Sequence, residues 1–137
     1  MKQLTSSFWG GAVGIALFFL TGCGSSNVMV EGEVMVDGQP FKPGPKEQAM
    51  VTYLPDKESL APTDATYPAP IESDGKYRIP GPDKMGIPPG KYRVAVTILS
   101  AENEQDLFRD AYSPSQTKLR HEVSAASAKT KLELKKP

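Results

Sequence analysis

Residues 91–98 read KYRVAVTI, and every second side chain of this stretch is apolar. The apolar positions are Tyr92, Val94, Val96 and Ile98. Because successive side chains of a β-strand point to opposite faces of the sheet, this alternation predicts a strand with one buried and one solvated face. Residues 91–98 are therefore the best candidate for a core strand.

The same alternation recurs on both sides of this stretch, with turn residues between the runs. Further strands are predicted over residues 28–36, 49–54, 65–67, 76–79, 119–123 and 132–134. Asp37-Gly38 and Asp74-Gly75 are typical of tight turns, and the prolines of residues 40–45 are expected to keep strand pairing from resuming at once. A helical turn is expected near residues 104–108. About seven short strands with such turns predict an all-β, two-sheet β-sandwich.

The composition limits the classes of partner. The chain has 137 residues, 16 basic and 16 acidic side chains, one cysteine and one histidine. This length predicts a single domain, which we assign to residues 28–135. A charge balance near zero gives no reason to expect a nucleic acid as partner. Cys23 has no second cysteine to pair with, so a disulfide within the chain is excluded.

Residues 1–22 have the composition of an export signal. Lys2 supplies a basic start, and an apolar run of 13 residues extends from Phe8 to Leu20. As a helix this run would cover about 20 Å, which is short of the roughly 30 Å hydrocarbon core of a bilayer. We therefore interpret residues 1–22 as a signal peptide that is removed, and not as a membrane span.

The end of this segment, Leu20-Thr21-Gly22-Cys23, resembles the lipobox of bacterial lipoproteins. The resemblance implies that a signal peptidase recognises Leu20, Thr21 and Gly22. It also implies that a glyceride is added to the Cys23 thiol, that the chain is cut before Cys23, and that the freed amine receives a fatty acid such as palmitate. The alternative is an ordinary secretory leader with a cysteine near its cleavage site by chance.

Acylation of Cys23 predicts a lasting anchor in membrane lipid, since two or three acyl chains exceed what stable retention requires. Residues 23–27 would then be the lipidated cysteine and a tether, whose four residues after Cys23 reach at most about 14 Å. By resemblance to lipoproteins of two-membrane bacteria, Gly24 in place of an aspartate favours the outer membrane. The domain is expected to face the periplasm.

Four motifs in the remaining chain resemble the carboxypeptidase-regulatory-like, or transthyretin-like, domain found in small lipoproteins of planctomycete-type bacteria. They are Gly32-x-Val34-x-x-Asp37-Gly38-x-Pro40, Val51-x-Tyr53-x-Pro55, Asp74-Gly75-x-Tyr77 and Pro88-Pro89-Gly90-Lys91-Tyr92-Arg93-Val94. The resemblance covers most of residues 28–134. It implies a seven-stranded Greek-key β-sandwich of the transthyretin-like, or prealbumin-like, type that is usually non-catalytic.

The side chains that commonly carry chemistry give neither a catalytic set nor a metal site. His121 is the only histidine, so a histidine-based metal cluster or a serine triad would lack partners, and a structural or surface role is expected. Glu72 and Asp74 are attributed to a turn and not to a calcium loop. Glu31 and Glu33 are attributed to the solvated face of the first strand.

Tyr67 and Tyr112 are the candidate contact residues. Both are expected in loops, where a phenol ring is able to stack on a sugar or on a partner protein. Tyr77 and Tyr92 are instead expected in the core. The alternative for Tyr112 is that it pins the loop of residues 101–117 against the sandwich.

These features predict an envelope lipoprotein whose sandwich is a non-catalytic structural or binding module for a protein or glycan, without a cofactor. Two alternatives stay open. One is a transthyretin-like hydrolase or enzyme accessory domain, and the other is a periplasmic carrier of a metal or small molecule.

Overall fold

The computed structural model describes residues 26–137, which form two β-sheets that share one core. The strands are β1 (Val30–Val36), β2 (Gln39–Pro40), β3 (Gln48–Pro55), β4 (Tyr67–Pro70), β5 (Lys76–Ile79), β6 (Gly90–Leu99), β7 (Arg120–Val123) and β8 (Lys129–Leu134), with one 3₁₀ turn over Ala125–Ser127. The predicted all-β, two-sheet architecture is thus confirmed. Within residues 26–137, no helix has the length and hydropathy needed to cross a bilayer.

The first sheet is built around β1. β5 and the short β2 pair antiparallel with β1, whereas β8 pairs with it in parallel. The register sets Val30 opposite Ile79 and Glu31 opposite both Arg78 and Lys129. The first and last strands of the domain are therefore neighbours, and this sheet is complete only when the C-terminal strand has been added.

The second sheet has the strand order β4-β3-β6-β7, and all its pairs are antiparallel. Its centre is the long pair of β3 and β6, in which Val51 lies opposite Val96. β4 forms one edge and carries Pro68 and Pro70, both exposed. Because proline has no N–H to donate to a further strand, these residues protect the edge against pairing with another chain.

The core lies between the two sheets and is formed by their inward positions. The alternation predicted for residues 91–98 is observed, since the inward set is fully buried: Tyr92, Val94, Val96 and Ile98. On β1, Val30 and Val34 are fully buried as well. Each such side chain stabilises the fold by about 1.5–3 kcal/mol relative to an exposed position, so the alternating strands supply most of the driving force.

Two predictions of local pairing need correction. Pairing resumes directly after Asp37-Gly38, because both residues adopt positive φ (49° and 80°) and close a hairpin in which Val36 lies opposite Gln39. These dihedrals match the twist of the flanking strands, so the prolines that follow do not delay the ladder. The strand predicted over residues 65–67 begins only at its last residue and continues as β4.

The loops contribute more to the core than their polar composition predicts. Ile87 and Phe108 are buried although neither belongs to a strand. The helical turn expected near residues 104–108 does not form, because Glu104 has a φ of 55° and Asp106 makes a β-bridge with Leu99. A single apolar residue within a polar loop gives no periodic signal, so these anchors were not predictable from alternation.

Tyr77 of β5 has its ring directly over Gly32 of the neighbouring strand β1. A Cβ atom at Gly32 would lie 2.2 Å from Cζ of Tyr77, far inside contact distance. Glycine is therefore required here by close packing within a strand, and not by a turn. The absence of a side chain at this position lets the Tyr77 hydroxyl reach the second sheet, where it lies 2.9 Å from the hydroxyl of Tyr53.

The end of the sandwich at which β1 begins is formed by the loops of residues 56–66, 80–89 and 124–128. The first loop follows β3, which ends beside the start of β6. The second follows β5, which ends beside the start of β1. The third follows β7, which also ends beside the start of β6. Val28 enters the domain at this end, where its N–H donates to the Ile87 carbonyl (2.8 Å) and its carbonyl accepts from the Ile87 N–H (2.9 Å). This part of the molecule is termed the N-terminal end.

We predict that Gly32→Ala lowers the free energy of unfolding by about 1–3 kcal/mol, because the new methyl group overlaps the Tyr77 ring. Urea denaturation followed by tyrosine fluorescence measures the change. Gly44→Ala is the matched control, since its new Cβ would meet only the Glu47 side chain at 3.5 Å. Equal stability of the two variants would contradict the packing argument.

Candidate functional site

The residues of the predicted anchor, Leu20, Thr21, Gly22 and Cys23, lie outside the described residues. The structure shows where the chain that follows them is first held, which is the β-bridge between Val28 and Ile87. Only residues 24–27 separate Cys23 from this bridge. The chain that comes from Cys23 therefore enters the domain at the N-terminal end of the sandwich.

The two tyrosines predicted as contact residues have different environments. Tyr67 lies in β4 and not in a loop, and only 8% of it is exposed, because its ring packs edge to face on Tyr92 with centroids 6.1 Å apart. This placement corrects the expected loop position, and a ring so buried offers little for a partner to contact. Tyr112 is half-buried against Phe108, and its hydroxyl accepts a hydrogen bond from the Lys135 N–H (2.8 Å). That geometry matches the alternative given for Tyr112, in which it pins its loop.

A chain of hydrogen bonds runs through the core and joins the two sheets. The Tyr77 hydroxyl lies 2.9 Å from that of Tyr53, which in turn lies 2.8 Å from Nδ1 of His121. Nε2 of His121 lies 2.6 Å from the carbonyl oxygen of Ser127, in the segment between β7 and β8. These four residues, Tyr77, Tyr53, His121 and Ser127, are termed the tyrosine–histidine chain.

The direction of each hydrogen bond in this chain follows from its last member. The Ser127 carbonyl only accepts, so Nε2 of His121 carries the proton and donates. In a neutral imidazole Nδ1 then accepts, so the Tyr53 hydroxyl donates to it and accepts from Tyr77. No buried side-chain nitrogen or oxygen among residues 26–137 is left without a partner.

Burial keeps the tyrosine–histidine chain uncharged. Desolvation lowers the pKa of His121, against the opposing effect of the hydrogen bond to Ser127. Burial likewise raises the pKa of Tyr77 to about 12, and it raises the pKa of Tyr53 further, with a contribution from the neighbouring Tyr77. The three rings are therefore neutral at pH 7, and the chain stabilises the contact between the sheets as a set of neutral hydrogen bonds.

This arrangement offers no reactive group to a substrate. Both ring nitrogens of His121 are engaged and the residue is only 7% exposed. The ring can accept a proton from a bound molecule, or bind a metal, only by giving up the link between the sheets. Among the described residues, no group of three His, Cys, Asp or Glu side chains is placed to hold a metal ion.

The outer face of the first sheet is covered with paired charges. Each of two glutamates on β1 lies between two cations on the neighbouring strands: Glu31 between Arg78 and Lys129, and Glu33 between Lys76 and Lys131. Arg78 and Glu31 form an exposed ion pair at 2.5 Å. Exposed pairs of this kind contribute about 0–1 kcal/mol. Glu31 and Glu33 line a shallow, open depression together with lysines of β5 and β8, so this face is a charged surface open to solvent.

The remaining carboxylates considered for chemistry belong to a turn. Oδ1 of Asp74 accepts the Lys76 N–H at 3.0 Å, and the Gly75 N–H donates to the Glu72 carbonyl at 2.9 Å. These bonds close the connection between β4 and β5. The placement agrees with the attribution of Glu72 and Asp74 to a turn.

The outer face of the second sheet is different, because its charges are confined to one end. They are Lys91 and Arg93 of β6 and Arg120 and Glu122 of β7. Apart from these and Gln48, its outward positions on β3, β4 and β6 are Met50, Thr52, Leu54, Pro68, Pro70, Ala95, Thr97 and Leu99. We term this set the uncharged face. Met50 is 46% exposed and lies opposite both Pro70 and Thr97. The charged side chains of β6 are directed to partners, since Arg93 donates to the Pro114 carbonyl (2.9 Å) and Lys91 pairs with Glu58.

Sequence reasoning missed this surface for a physical reason. Ala95 and Thr97 were assigned to a solvated face, which is wrong for Ala95, since it is only 2% exposed, whereas Thr97 is partly exposed. Whether such positions form a charged or an apolar surface depends on which strands lie beside them, and here the neighbours bring Met50, Leu54 and Pro70. The available signal was that the outward positions of residues 49–54 carry no charge.

No protein-family model matches this chain, and no curated protein or solved structure is significantly similar to it. The functional argument therefore depends on the residues and their geometry.

We predict that Tyr53→Phe lowers the free energy of unfolding by about 1–3 kcal/mol, because it leaves both Nδ1 of His121 and the Tyr77 hydroxyl buried without a partner. Chemical denaturation measures the loss. Tyr112→Phe is the control, since its hydroxyl accepts a single bond near the surface, and a change below about 1 kcal/mol is expected there. A smaller loss for Tyr53→Phe than for the control would contradict the role of the chain.

The domain should also lose stability as the pH falls through about 6.5, the ordinary pKa of histidine in the unfolded chain. Because the pKa of His121 is lower in the folded state, the unfolded state binds the proton first, and this contribution is complete only above that pH. Denaturation midpoints between about pH 8 and pH 5 test this. His121→Gln should flatten the pH dependence, and an unchanged slope would show that other groups cause it.

Proposed function

We propose that this chain is a lipoprotein of the bacterial cell envelope, cleaved before Cys23 and held in the membrane by acyl groups on that residue. The sequence Leu20-Thr21-Gly22-Cys23 behind a short apolar run supports this proposal. The position of the domain supports it too, since Cys23 precedes the first bridged residue, Val28, and is not required by the sandwich. Gly24 favours the outer membrane, with the domain in the periplasm.

The sandwich is proposed to be a non-catalytic binding module, and the uncharged face carries this proposal. Met50, Leu54, Leu99 and the two prolines of β4 form an uncharged part of this sheet surface, bordered by Arg93 opposite Leu54, in a chain of which 23% of the residues are charged. A partly exposed apolar sheet face of this kind marks an interaction surface more often than a solvated one. The first sheet, with its rows of charges, is the solvated side of the same molecule.

A protein fits this face better than a glycan. Sugars are bound by aromatic rings that stack on them, together with polar side chains, and the uncharged face contains no aromatic residue. Four of the five tyrosines are buried instead: Tyr53, Tyr67, Tyr77 and Tyr92. Methionine, leucine and proline side chains pack against the apolar part of a protein partner.

The finer assignment of the fold is also a proposal. A Greek-key sandwich of the transthyretin-like type is supported by the order of the strands, in which the chain passes between the sheets after β2, β4, β5 and β7. The parallel pairing of β1 with β8 is compatible with it. Seven strands are counted when the two-residue β2 is taken as an extension of the β1 hairpin.

The two alternatives have less support from the residues. A transthyretin-like hydrolase needs a histidine that reaches its substrate, and His121 is engaged on both ring nitrogens within the core. A carrier of a metal ion needs a cluster of ligands, for which the described residues supply no candidate. A protein-binding envelope lipoprotein is therefore the function that this chain supports best.

Cys23→Ser is predicted to abolish anchoring, because the serine hydroxyl is hardly ionised at neutral pH and cannot replace the thiolate in lipid attachment. The variant should accumulate as a precursor that retains residues 1–22 and takes up no radiolabelled fatty acid. Ser25→Ala, two residues away, is the control and should be processed normally. Equal labelling of Cys23→Ser and the unaltered chain would reject the lipoprotein proposal.

Partner binding is tested with a photoreactive amino acid placed at position 50 of the full chain in intact cells. Irradiation should give a discrete crosslinked product when the photoreactive amino acid replaces Met50. It should give none when the photoreactive amino acid replaces Met35, which lies on the outer face of the first sheet. Thr97→Lys should reduce the Met50 product at least about tenfold, since it buries a charge beside the crosslinker. Equal products at both positions, or none at either, would reject the uncharged face as the binding surface.

A further inference from the structure

We infer that the N-terminal end of the sandwich docks on the lipid surface, with Leu60 and Met85 inserted among the headgroups. This inference rests on the proposed acylation of Cys23 and adds to it a fixed orientation of the domain. It assigns lipid contacts to two loops of the folded domain, in addition to the acyl chains.

Exposure singles out these two side chains. Four large apolar residues are exposed among the described residues: Met50, Leu60, Met85 and Leu107. The two most exposed are Leu60 at 66% and Met85 at 71%, and both belong to loops of the N-terminal end. Leu107 lies beside Phe108 and Val36, where β1 ends, so it belongs to the opposite end of the sandwich.

The backbone holds both residues in place without covering them. The Leu60 N–H donates to the Pro89 carbonyl (3.3 Å), which ties the loop of residues 56–66 to that of residues 80–89. Met85 is held in a tight turn, in which the Gly86 N–H donates to the Pro80 carbonyl at 2.8 Å. A loop whose backbone is already held loses little backbone freedom when its side chains are inserted, so their burial in lipid is more favourable than that of residues on a mobile loop.

The position of the anchor brings this end to the membrane. Gly86 adjoins Ile87, which is bridged to Val28, the residue at which the chain from Cys23 enters the domain. The span from Cys23 to Val28 is at most about 18 Å when fully extended. A sandwich held this closely to the acyl chains meets the bilayer with the loops around Val28, and those loops carry Leu60 and Met85.

The charges at this end of the sandwich are balanced. Residues 56–66 and 80–89 contain four acidic side chains and two basic ones: Asp56, Glu58, Asp64 and Asp83 against Lys57 and Lys84. Two more cations belong to the same end, since Lys91 pairs with Glu58 and Lys129 follows the third loop. Docking is therefore assigned to the apolar side chains and should depend little on anionic lipid.

The test uses the full, acylated chain in vesicles of phosphatidylethanolamine and phosphatidylcholine that contain a nitroxide-labelled lipid. Acylation occupies the only cysteine, so Leu60→Cys, Met85→Cys and the control Leu107→Cys each supply a single free thiol for a fluorophore. Quenching by the labelled lipid should be at least about threefold greater at positions 60 and 85 than at position 107. Replacing a third of the lipid by phosphatidylglycerol should leave the quenching at 60 and 85 nearly unchanged.

Each other outcome overturns the inference in a distinguishable way. Equal quenching at all three positions in an acylated, vesicle-bound protein overturns the docking alone and leaves the anchor intact. Disulfide-linked dimers of Met85→Cys without lipid quenching assign this end to a second copy of the chain. A chain that is not acylated and does not float with the vesicles overturns the docking together with the lipoprotein proposal.

Discussion

The contact of Tyr77 with Gly32 is the constraint on which the rest of the sandwich depends. Because Gly32 has no side chain, the Tyr77 ring lies against β1 and its hydroxyl reaches Tyr53 of the other sheet. Tyr53 is bonded to His121, and His121 to the carbonyl of Ser127 in the segment that leads to β8. One line of neutral hydrogen bonds thus fixes the separation of the sheets and the path of the last connection. An apolar core alone stabilises many arrangements, whereas buried polar groups that must all be paired allow few.

Because the tyrosine–histidine chain is closed within the core, the groups available to a partner lie on the surface of the sandwich. The side chains with the most familiar chemistry, one histidine and two tyrosines, are engaged with one another and closed to solvent. The two outer faces are then free to differ. Glutamate, lysine and arginine side chains alternate across β5, β1 and β8 on the first sheet, while much of β4, β3 and β6 presents methionine, leucine, threonine and proline on the second. The asymmetry is a property of strand order, and it gives the sandwich one charged outer face and one that is largely uncharged.

The proposed connection to the membrane would add a second asymmetry, along the strands. With Val28 bridged to Ile87, the chain that comes from Cys23 meets the domain at one defined point. If Cys23 is acylated, the few residues between it and Val28 would keep this end of the domain near the bilayer. Docking of the N-terminal end would direct the strands away from the lipid and leave the uncharged face accessible from the side. Acylation of Cys23, docking of the N-terminal end on lipid and binding of a protein to the uncharged face would then be possible at the same time.

Local patterns along the chain were enough to predict the class of fold and the buried positions of the two clearest strands. Alternation along residues 28–36 and 91–98 is a local property of consecutive side chains, so it was readable without neighbours, and the Asp37-Gly38 turn was readable from the dihedrals that its residues tolerate. Local patterns did not reveal that Ile87 and Phe108 fill the core from loops, that Tyr67 is buried in an edge strand, or that His121 bonds two partners far away in the chain. Those features, together with the uncharged face and the common end shared by Leu60 and Met85, were decided only by the tertiary structure. The physical reason is that each depends on which strands become neighbours, and strand pairing joins residues such as Glu31 and Lys129 that are remote in sequence.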